Sequence, residues 1–365
     1  MNTATIKFDA FESLKNEDCQ QRILKAKKTL GDEIVILGHH YQNEEVYRHA
    51  DLAGDSLKLA KYVENLEAKY IIFLGVHFMA EVADILSRPG QITVLPDLSA
   101  GCSMADMANL AKVERTYREL NKVINFDKTI TPITYINSAA DLKAFCGEHE
   151  GIVCTSTNAP KILDWAFSQK EKVLFFPDQN LGRWTGHNMG IPLDLMPVWD
   201  PDLPLGGLTE EQIHKAKVLL WKGHCAVHQM FRLEHIEAFR KKHPEGFVIS
   251  HPESPFEVCL NSDFVGSTEF ILNTIKNADP GSKWLVGTEL NLVNRLANEM
   301  KPEKKLVQFM SHVVCECSTM ARIDPQHLAW TLENIINGNP VNIIKVPSKE
   351  AKFAKLTLDK MLEVS

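Results

Sequence analysis

The stretch Ile34-Val-Ile-Leu-Gly-His-His-Tyr41 decides the fold, because four apolar residues run directly into a glycine, two histidines and a tyrosine. The same transition occurs in Ile133-Thr-Tyr-Ile-Asn137 and in Phe247-Val-Ile-Ser-His-Pro-Glu253. Continuous apolar runs of this length are typical of strands that are buried on both faces. We interpret each stretch as the first strand of one third of the chain, with polar residues at its carboxyl end.

Further apolar runs alternate with helical patterns such as Ser56–Glu67 along the whole chain. The additional predicted strands are Tyr70–Gly75, Thr93–Asp97, Gly151–Ser156, Lys172–Asp178, Val218–Trp221, Asp263–Gly266, Trp284–Gly287 and Leu306–Phe309. Strands separated by helices indicate parallel sheets covered by helices on both faces. The sequence therefore predicts an α/β protein of three doubly wound α/β/α units: residues 1–118 with an N-terminal helix, 119–225 and 226–365.

Length and composition fit several units. The 365 residues exceed the roughly 250 to 300 that one hydrophobic core serves. The net charge of -7, with no cluster of Lys and Arg, argues against a nucleic-acid partner. The first residues lack the features of a signal peptide, and no apolar run approaches membrane-spanning length. We expect no membrane association and a reducing, cytoplasmic location, where cysteines are thiols or metal ligands.

Three cysteines lie in short polar stretches, one in each third. Cys102, Cys225 and Cys317 are flanked by Gly, Ser or His, and their wide spacing matches no zinc finger or ferredoxin. A lone cysteine is more often a small buried apolar residue. Three thiolates, one from each unit, suit a 4Fe-4S cluster that leaves one iron open as a Lewis acid. Cys315 complicates the third position, because it is separated from Cys317 by one residue.

The remaining cysteines lack such surroundings. Cys154 and Cys259 lie in apolar strand-like or helical patterns, and nothing around Cys19 or Cys146 indicates a function. We predict that these four are not ligands.

Serine and threonine residues open several predicted helices. Ser56, Ser156, and Ser267 with Thr268 follow predicted strands. The amides and hydroxyl at a helix N-terminus bind anions without Lys or Arg. Each position alone is more often a plain helix cap. Together, at the carboxyl ends of strands, they favour the binding of anionic groups.

Candidate proton-transfer and substrate-binding residues end the three first strands. They are His39, Tyr41, Tyr135, Asn137, His251 and Glu253. Burial of a carboxyl group can raise its pKa, which would make Glu253 a usable acid or base. Otherwise the histidines are hydrogen-bonded residues near the core, and Tyr135 is an aromatic residue of the sheet.

The ordered set of motifs resembles the quinolinate synthase family over nearly the whole chain. The matching motifs are Gly38-His-His-Tyr-Gln42, Gly54-Asp-Ser-Leu57, Gly75-Val-His-Phe-Met-Ala-Glu81, Tyr135-Ile-Asn137, Cys154-Thr-Ser156, Pro177-Asp178, Leu181-Gly-Arg183, His251-Pro-Glu253 and Val265-Gly-Ser-Thr268. The resemblance implies three pseudo-threefold-related domains around a central 4Fe-4S cluster. It also implies a transferase that condenses iminoaspartate with dihydroxyacetone phosphate to quinolinate, a precursor of NAD.

The resemblance also assigns individual residues. Its third cysteine ligand precedes a methionine by three positions, which selects Cys317 because Met320 follows it by three. Some members carry extra cysteines spaced C-x-x-C-x-x-C, whereas this chain has C-x-C, and this departure leaves Cys315 a substitute ligand or redox partner. It implies substrate contacts at Ser56, Ser156, Ser267 and Thr268. On this basis we expect His39, Tyr41 and Glu253 to be catalytic, with His39, Tyr135, Asn137, His251 and Glu253 binding substrate. An L-aspartate oxidase is the expected supplier of iminoaspartate.

Two other classes of protein stay open from the residues. A cluster-free enzyme acting on sugar phosphates would use the same helix N-termini and bury its cysteines. A nucleotide-binding or regulatory module would need a glycine-rich fingerprint after the first strand, and Gly38-His-His-Tyr-Gln42 is not one.

Overall fold

The computed structural model describes residues 4–313 and 316–365, which form helices and three sheets. Cys315, whose role the sequence left open, lies outside the described residues. The strands are β1 Ile34–His39, β2 Leu52–Gly54, β3 Tyr70–Leu74, β4 Ile92–Val94, β5 Ile130–Tyr135, β6 Ile152–Cys154, β7 Lys172–Phe176, β8 Val198–Trp199, β9 Val218–Trp221, β10 Phe247–Ser250, β11 Phe264–Val265, β12 Lys283–Gly287, β13 Leu306–Phe309 and β14 Ile343–Ile344. The predicted α/β class is confirmed.

Helices separate most consecutive strands, as a doubly wound fold requires. They are α1 Asp9–Glu12, α2 Asn16–Leu30, α3 Glu44–Tyr47, α4 Ser56–Val63, α5 His77–Leu86, α6 Ser103–Asp106, α7 Leu110–Val123, α8 Phe126–Thr129, α9 Ala140–Glu148, α10 Ala159–Gln169, α11 Gln179–Asn188, α12 Glu210–Lys215, α13 Leu233–Lys242, α14 Phe256–Leu260, α15 Thr268–Asn277, α16 Leu290–Met300, α17 Pro325–Ile336 and α18 Ser348–Val364. Among the described residues, no helix combines the length and apolar character that crossing a membrane requires.

The three sheets share the order of their first three strands in sequence. They read β14-β4-β3-β1-β2, β6-β5-β7-β9-β8 and β11-β10-β12-β13. In each sheet the first strand in sequence, β1, β5 or β10, lies between the second and the third. The connections that leave the first and third strands then run to opposite sides, which creates a crevice at the carboxyl end of the first strand. Such crevices are where open parallel sheets bind ligands.

Three short strands are not predicted by the apolar runs of the sequence. β2 and β8 have two or three residues each, and β8 lies in the proline-rich segment Pro192–Gly207 that the sequence suggests is a connection. β14 pairs with β4 in the antiparallel direction, so this sheet is not purely parallel. Short edge strands carry too few residues to show a period, and only their pairing reveals them.

Two compact units divide the chain. Among the described residues, the first contains 4–102 and 316–346, and the second contains 103–313 and 347–365. Within the first unit α17 packs on α2, and within the second α18 packs on α9. The C-terminal residues therefore return to the helices of earlier sheets. The predicted boundaries at residues 118 and 225 stay a prediction.

A buried aromatic core supports the sheet that contains β5. Phe126, Phe176, Trp199 and Trp221 are within it, and the Trp199 indole donates to Thr116 Oγ1 at 3.0 Å. Satisfying the indole N–H allows this large side chain to be fully buried. The core holds β5, β7 and β9 firmly, and these strands position the loops that follow them.

Candidate active site

In the second unit, the last residue of β5 and residues that follow β9 and β10 converge on one buried carboxylate. Glu253 is 3% exposed, and its Oε2 lies 2.9 Å from His228 Nδ1. The Tyr135 hydroxyl donates a further hydrogen bond to the Glu253 carboxylate. The rings of His228 and His251 lie 4.8 Å apart. The structure thus brings together Tyr135, His251 and Glu253 as the sequence predicts, and it adds His228.

The charge state of Glu253 differs from expectation. Burial raises its pKa, but the nearby His251 and His228, with hydrogen bonds from His228 and Tyr135, outweigh burial and lower the pKa to about 2. The expected raised pKa of this carboxyl group is therefore wrong, because isolation from water is offset by hydrogen bonds to the charged form. At neutral pH Glu253 is ionised and is able to accept a proton.

His251 is neutral at the same pH. It is 2% exposed, and burial lowers its pKa to about 3. Its Nδ1 accepts from the backbone N–H of Glu253 at 3.4 Å, which requires a lone pair on that nitrogen. This contact assigns the remaining proton to Nε2. The 3.8 Å approach of Nδ1 to the carboxylate is therefore not an ion pair at neutral pH.

A second buried carboxyl group, Asp178, was not singled out from the sequence beyond its place in a motif. It follows β7, and its Oδ1 accepts from the Leu181 backbone N–H at 2.8 Å at the start of α11. Burial, and then the charge of Glu253, raise the pKa of Asp178 well above its usual range. The surroundings thus shift the pKa values of the two carboxyl groups in opposite directions, that of Glu253 downward and that of Asp178 upward. A carboxyl group two residues after a strand that is apolar over 173–176 is the signal that could have found it.

The loop that carries Cys225 is fitted closely to the end of β7. Gln179 N donates to Gly223 O at 2.9 Å, and a Cβ at Gly223 would lie 2.2 Å from Pro177 O. Only glycine tolerates this approach. Cys225 Sγ lies 3.1 Å from His228 Nδ1. Possible metal-ligand atoms of Cys225, His228 and Glu253 lie within 4.8 Å of one another, so this part of the site presents a set of donors suited to a metal.

Asn137 presents an unsatisfied group in the same unit. Its Oδ1 is buried, with no hydrogen-bond partner among the residues that the structure describes. A buried amide oxygen costs free energy unless a partner is bound. This is the arrangement expected of a residue that hydrogen-bonds a ligand.

The serine and threonine positions differ in local structure. Ser267 is the N-cap of α15 and accepts from Phe270 N, and Thr268 is the first helical residue. Ser56 is not a cap, since the preceding Asp55 caps α4 with its carboxylate. Ser156 precedes α10, which begins only at Ala159. Of these residues, only Ser267 is the N-cap of a helix. At α4 the N-cap is Asp55, and aspartate caps a helix as well as serine does.

In the first unit, β1 delivers a histidine and a tyrosine to its carboxyl end. His39 is 4% exposed, and its Nδ1 accepts from Tyr41 N at 3.2 Å. The two rings meet edge to face at 4.7 Å. A Cβ at Gly38 would lie 2.7 Å from Ala50 Cβ, so the glycine lets β1 pass close to the following segment. His39 is thereby held in one orientation.

The cysteines separate into two groups by burial. Cys102 and Cys317 in the first unit and Cys225 in the second are partly exposed. Cys19, Cys146, Cys154 and Cys259 are buried, and burial raises the pKa of Cys259 to about 12. A buried thiol resists forming the thiolate that binds metal. The division of the cysteines into ligands and inert thiols stays a prediction, and the two predicted groups differ in exposure.

Nearly the whole chain is similar in sequence to one family of known proteins. A family model described as quinolinate synthetase A protein matches residues 21–363. A quinolinate synthase from Rhodopirellula baltica is 53% identical over 366 residues, covering 97% of this chain and 93% of the relative. Those from Herpetosiphon aurantiacus and Corynebacterium glutamicum are 51% and 49% identical, covering 97% and 98% of this chain and 95% and 90% of the relatives.

Proposed function

This chain belongs to the quinolinate synthase family, and from that membership we propose that it is an enzyme that forms quinolinate for NAD biosynthesis. The proposed reaction condenses iminoaspartate with dihydroxyacetone phosphate, and it releases one phosphate and two waters. One carbon–carbon bond and one carbon–nitrogen bond close the pyridine ring. We place the reaction in the transferase class.

The observation that carries the catalytic part is the ionised, fully buried Glu253 held by His228 and Tyr135. Ring closure and dehydration require protons to leave carbon and nitrogen. An ionised carboxylate within hydrogen-bond reach of a substrate is able to take up such protons as a general base. We assign Glu253 the role of accepting these protons, with Tyr135, Asn137 and His251 orienting the intermediates.

In the first unit, His39 and Tyr41 are proposed to assist proton transfer, and Ser56 to bind an anionic group of the substrates. Ser156, Ser267 and Thr268 are proposed to bind the others. The capping geometry of Ser267 supports its assignment, since a helix N-terminus stabilises negative charge. Asp55 is the N-cap of α4, so the hydroxyl of Ser56 is not used for capping. This hydroxyl is the group proposed to contact substrate.

A 4Fe-4S cluster held by Cys102, Cys225 and Cys317 is proposed as the cofactor. The donor set fits: these three thiols are partly exposed, whereas the four other described cysteines are buried. When bound, such a cluster with three protein ligands supplies an open iron that polarises a substrate oxygen. A cluster of this kind favours a reducing, cytoplasmic setting.

An enzyme that makes iminoaspartate is the proposed supplier. Imines hydrolyse in water, so synthesis close to its consumption would protect the substrate. L-aspartate oxidase has the required chemistry, because oxidation of the aspartate amine gives this imine.

The decisive experiment is anaerobic purification followed by iron and sulfide analysis, a visible spectrum and an assay of quinolinate. We expect about four irons per chain and quinolinate only when both substrates are present. Exposure to air should remove iron and activity together. A colourless protein with full activity would instead support a cluster-free enzyme, and absence of quinolinate from iron-replete protein would contradict the proposed reaction.

A further inference from the structure

Lys143 is a charged residue with no exposed surface, and it lies directly beneath the turn that follows β5. It belongs to α9 and is 0% exposed. Its Nζ donates to Ile136 O at 2.9 Å, to Ser138 O, and to Ser138 Oγ at 3.4 Å. An ammonium group has three N–H donors, and these three oxygens match that number.

Burying an ammonium group is unfavourable unless its hydrogen bonds compensate for the lost hydration. Two other buried lysines show a common structural use for such a group. Lys172 Nζ donates to His214 O and Ala216 O at the end of α12, and Lys305 Nζ donates to Ile275 O and Lys276 O near the end of α15. Helix C-termini leave carbonyls without partners, so these lysines satisfy an existing need.

The carbonyls that Lys143 binds belong to a turn rather than to a helix. The turn is defined here as Tyr135–Ser138. Ser138 Oγ donates to Tyr135 O and accepts from Thr134 Oγ1, both at 2.8 Å. Ser138 N donates to Ile136 O at 2.8 Å. The ammonium therefore fixes the orientation of peptide groups on both sides of Asn137.

This turn carries two of the residues that are proposed to contact the substrate. Tyr135 at its start donates its hydroxyl to Glu253, and Asn137 in its middle holds the buried amide oxygen that lacks a partner among the described residues. We propose that Lys143 is a positioning residue that acts through the turn, setting Tyr135 and Asn137 for the substrate. This role rests on the proposed function of the same site.

Lys143→Met tests the role, because it keeps much of the side-chain length and removes the charge. Lys172→Met and Lys305→Met are matched controls, since each removes a buried ammonium from backbone carbonyls elsewhere. All three variants should unfold at lower temperature. Only Lys143→Met should lower kcat, by at least about tenfold, in iron-replete enzyme assayed anaerobically. Lys143→Arg should restore part of kcat, because it retains a cation with several donors.

Hydrogen exchange gives a readout that does not depend on activity. The amides of Ile136 and Ser138 are hydrogen-bonded, the first to Cys154 O at 2.8 Å. In Lys143→Met their exchange should accelerate at least about tenfold, with no change there in the two controls. Ser138→Ala provides a second variant if Lys143→Met does not fold, and we expect it to change exchange and kcat in the same direction by a smaller factor.

The outcomes separate the positioning role from the reaction. Unchanged exchange in Lys143→Met, or equal loss of kcat in all three Met variants, would overturn the role of Lys143. If Lys143→Met does not fold, normal exchange and normal kcat in Ser138→Ala would also overturn the role of Lys143. If the unmodified protein makes no quinolinate but exchange accelerates, the reaction assignment fails while the control of the turn by Lys143 stands.

Discussion

The aspartates at the amino ends of β2 and β11 and the glutamate after the carboxyl end of β10 have different partners. At the amino ends, charged side chains bind backbone: Asp51 Oδ2 accepts from Ile36 N at 2.8 Å, and Asp263 Oδ2 accepts from Val248 N at 2.7 Å. At the carboxyl ends of the second unit, functional groups contact one another, as in the contact of 2.9 Å between Glu253 and His228. An aspartate whose carboxylate binds a strand N–H stabilises the fold, whereas a carboxylate held by other side chains, as Glu253 is, is available for chemistry.

The amino ends also reveal a repeat that residue identity hides. Asp51 precedes β2 and bonds both the N–H and the C=O of Ile36 in β1, and Asp263 precedes β11 and does the same with Val248 in β10. Each aspartate also has a basic partner, Lys27 at 2.6 Å and Arg240 at 3.1 Å. The same pair of aspartate hydrogen bonds occurs in two sheets, which supports a common structural plan for these two thirds of the chain.

The largest effect should come from the three candidate cluster ligands. Cys102→Ala, Cys225→Ala and Cys317→Ala, tested one at a time, should each lose bound iron and all measurable quinolinate formation. Cys19→Ala, Cys154→Ala and Cys259→Ala should retain iron, because these thiols are buried. Iron content after anaerobic purification is the measurement. Full iron in the Cys317 variant together with its loss in Cys315→Ala would transfer the ligand role to Cys315.

The next effect should come from Glu253. Glu253→Gln keeps nearly the same shape but cannot accept a proton, so kcat should fall at least ~100-fold with the cluster and substrate affinity retained. Single-turnover assays beside iron analysis separate chemistry from assembly. Near-normal turnover would remove Glu253 from the mechanism. Loss of iron would show that its role is structural, consistent with its closeness to Cys225.

Much of this fold was predictable from sequence because long buried strands leave a continuous apolar run. β9 and β13 were predicted to the residue, and the runs into His39, Tyr135 and His251 correctly marked strand ends. His228 and Asp178 were not identified as site residues, because the importance of each depends on its interaction with Glu253, which is distant in the sequence. The charge of Glu253 was predicted wrongly for the same reason: burial is readable from a pattern, but hydrogen-bond donors from other strands are not.

A smaller effect, on stability alone, should come from the amino-end aspartates. Asp51→Ala and Asp263→Ala each leave a strand N–H without its side-chain acceptor and remove an ion pair, which should cost about 1–3 kcal/mol. The midpoint of thermal unfolding should fall by roughly 2–6 °C, with kcat within about twofold of the unmodified enzyme. A loss of kcat as large as that of Glu253→Gln would break the distinction between the two ends.

The smallest effect should be a pH dependence of stability from His49, which lies just before the amino end of β2. His49 is 4% exposed, and burial, followed by the charge of Lys27, lowers its pKa to about 4. Because the unfolded chain binds the proton near pH 6.5, the stabilisation by neutral His49 is complete above that pH and is lost as pH falls toward 4. Between pH 7 and pH 5 the unmodified protein should lose about 1 kcal/mol more than His49→Gln, after allowance for partial solvation of the ring. Thermal midpoints of both proteins at the two pH values provide the measurement, and taking the difference removes the similar contribution of buried His251. Parallel midpoints would mean that His49 is already solvated in the fold, and this amino-end residue would then contribute nothing to acid sensitivity.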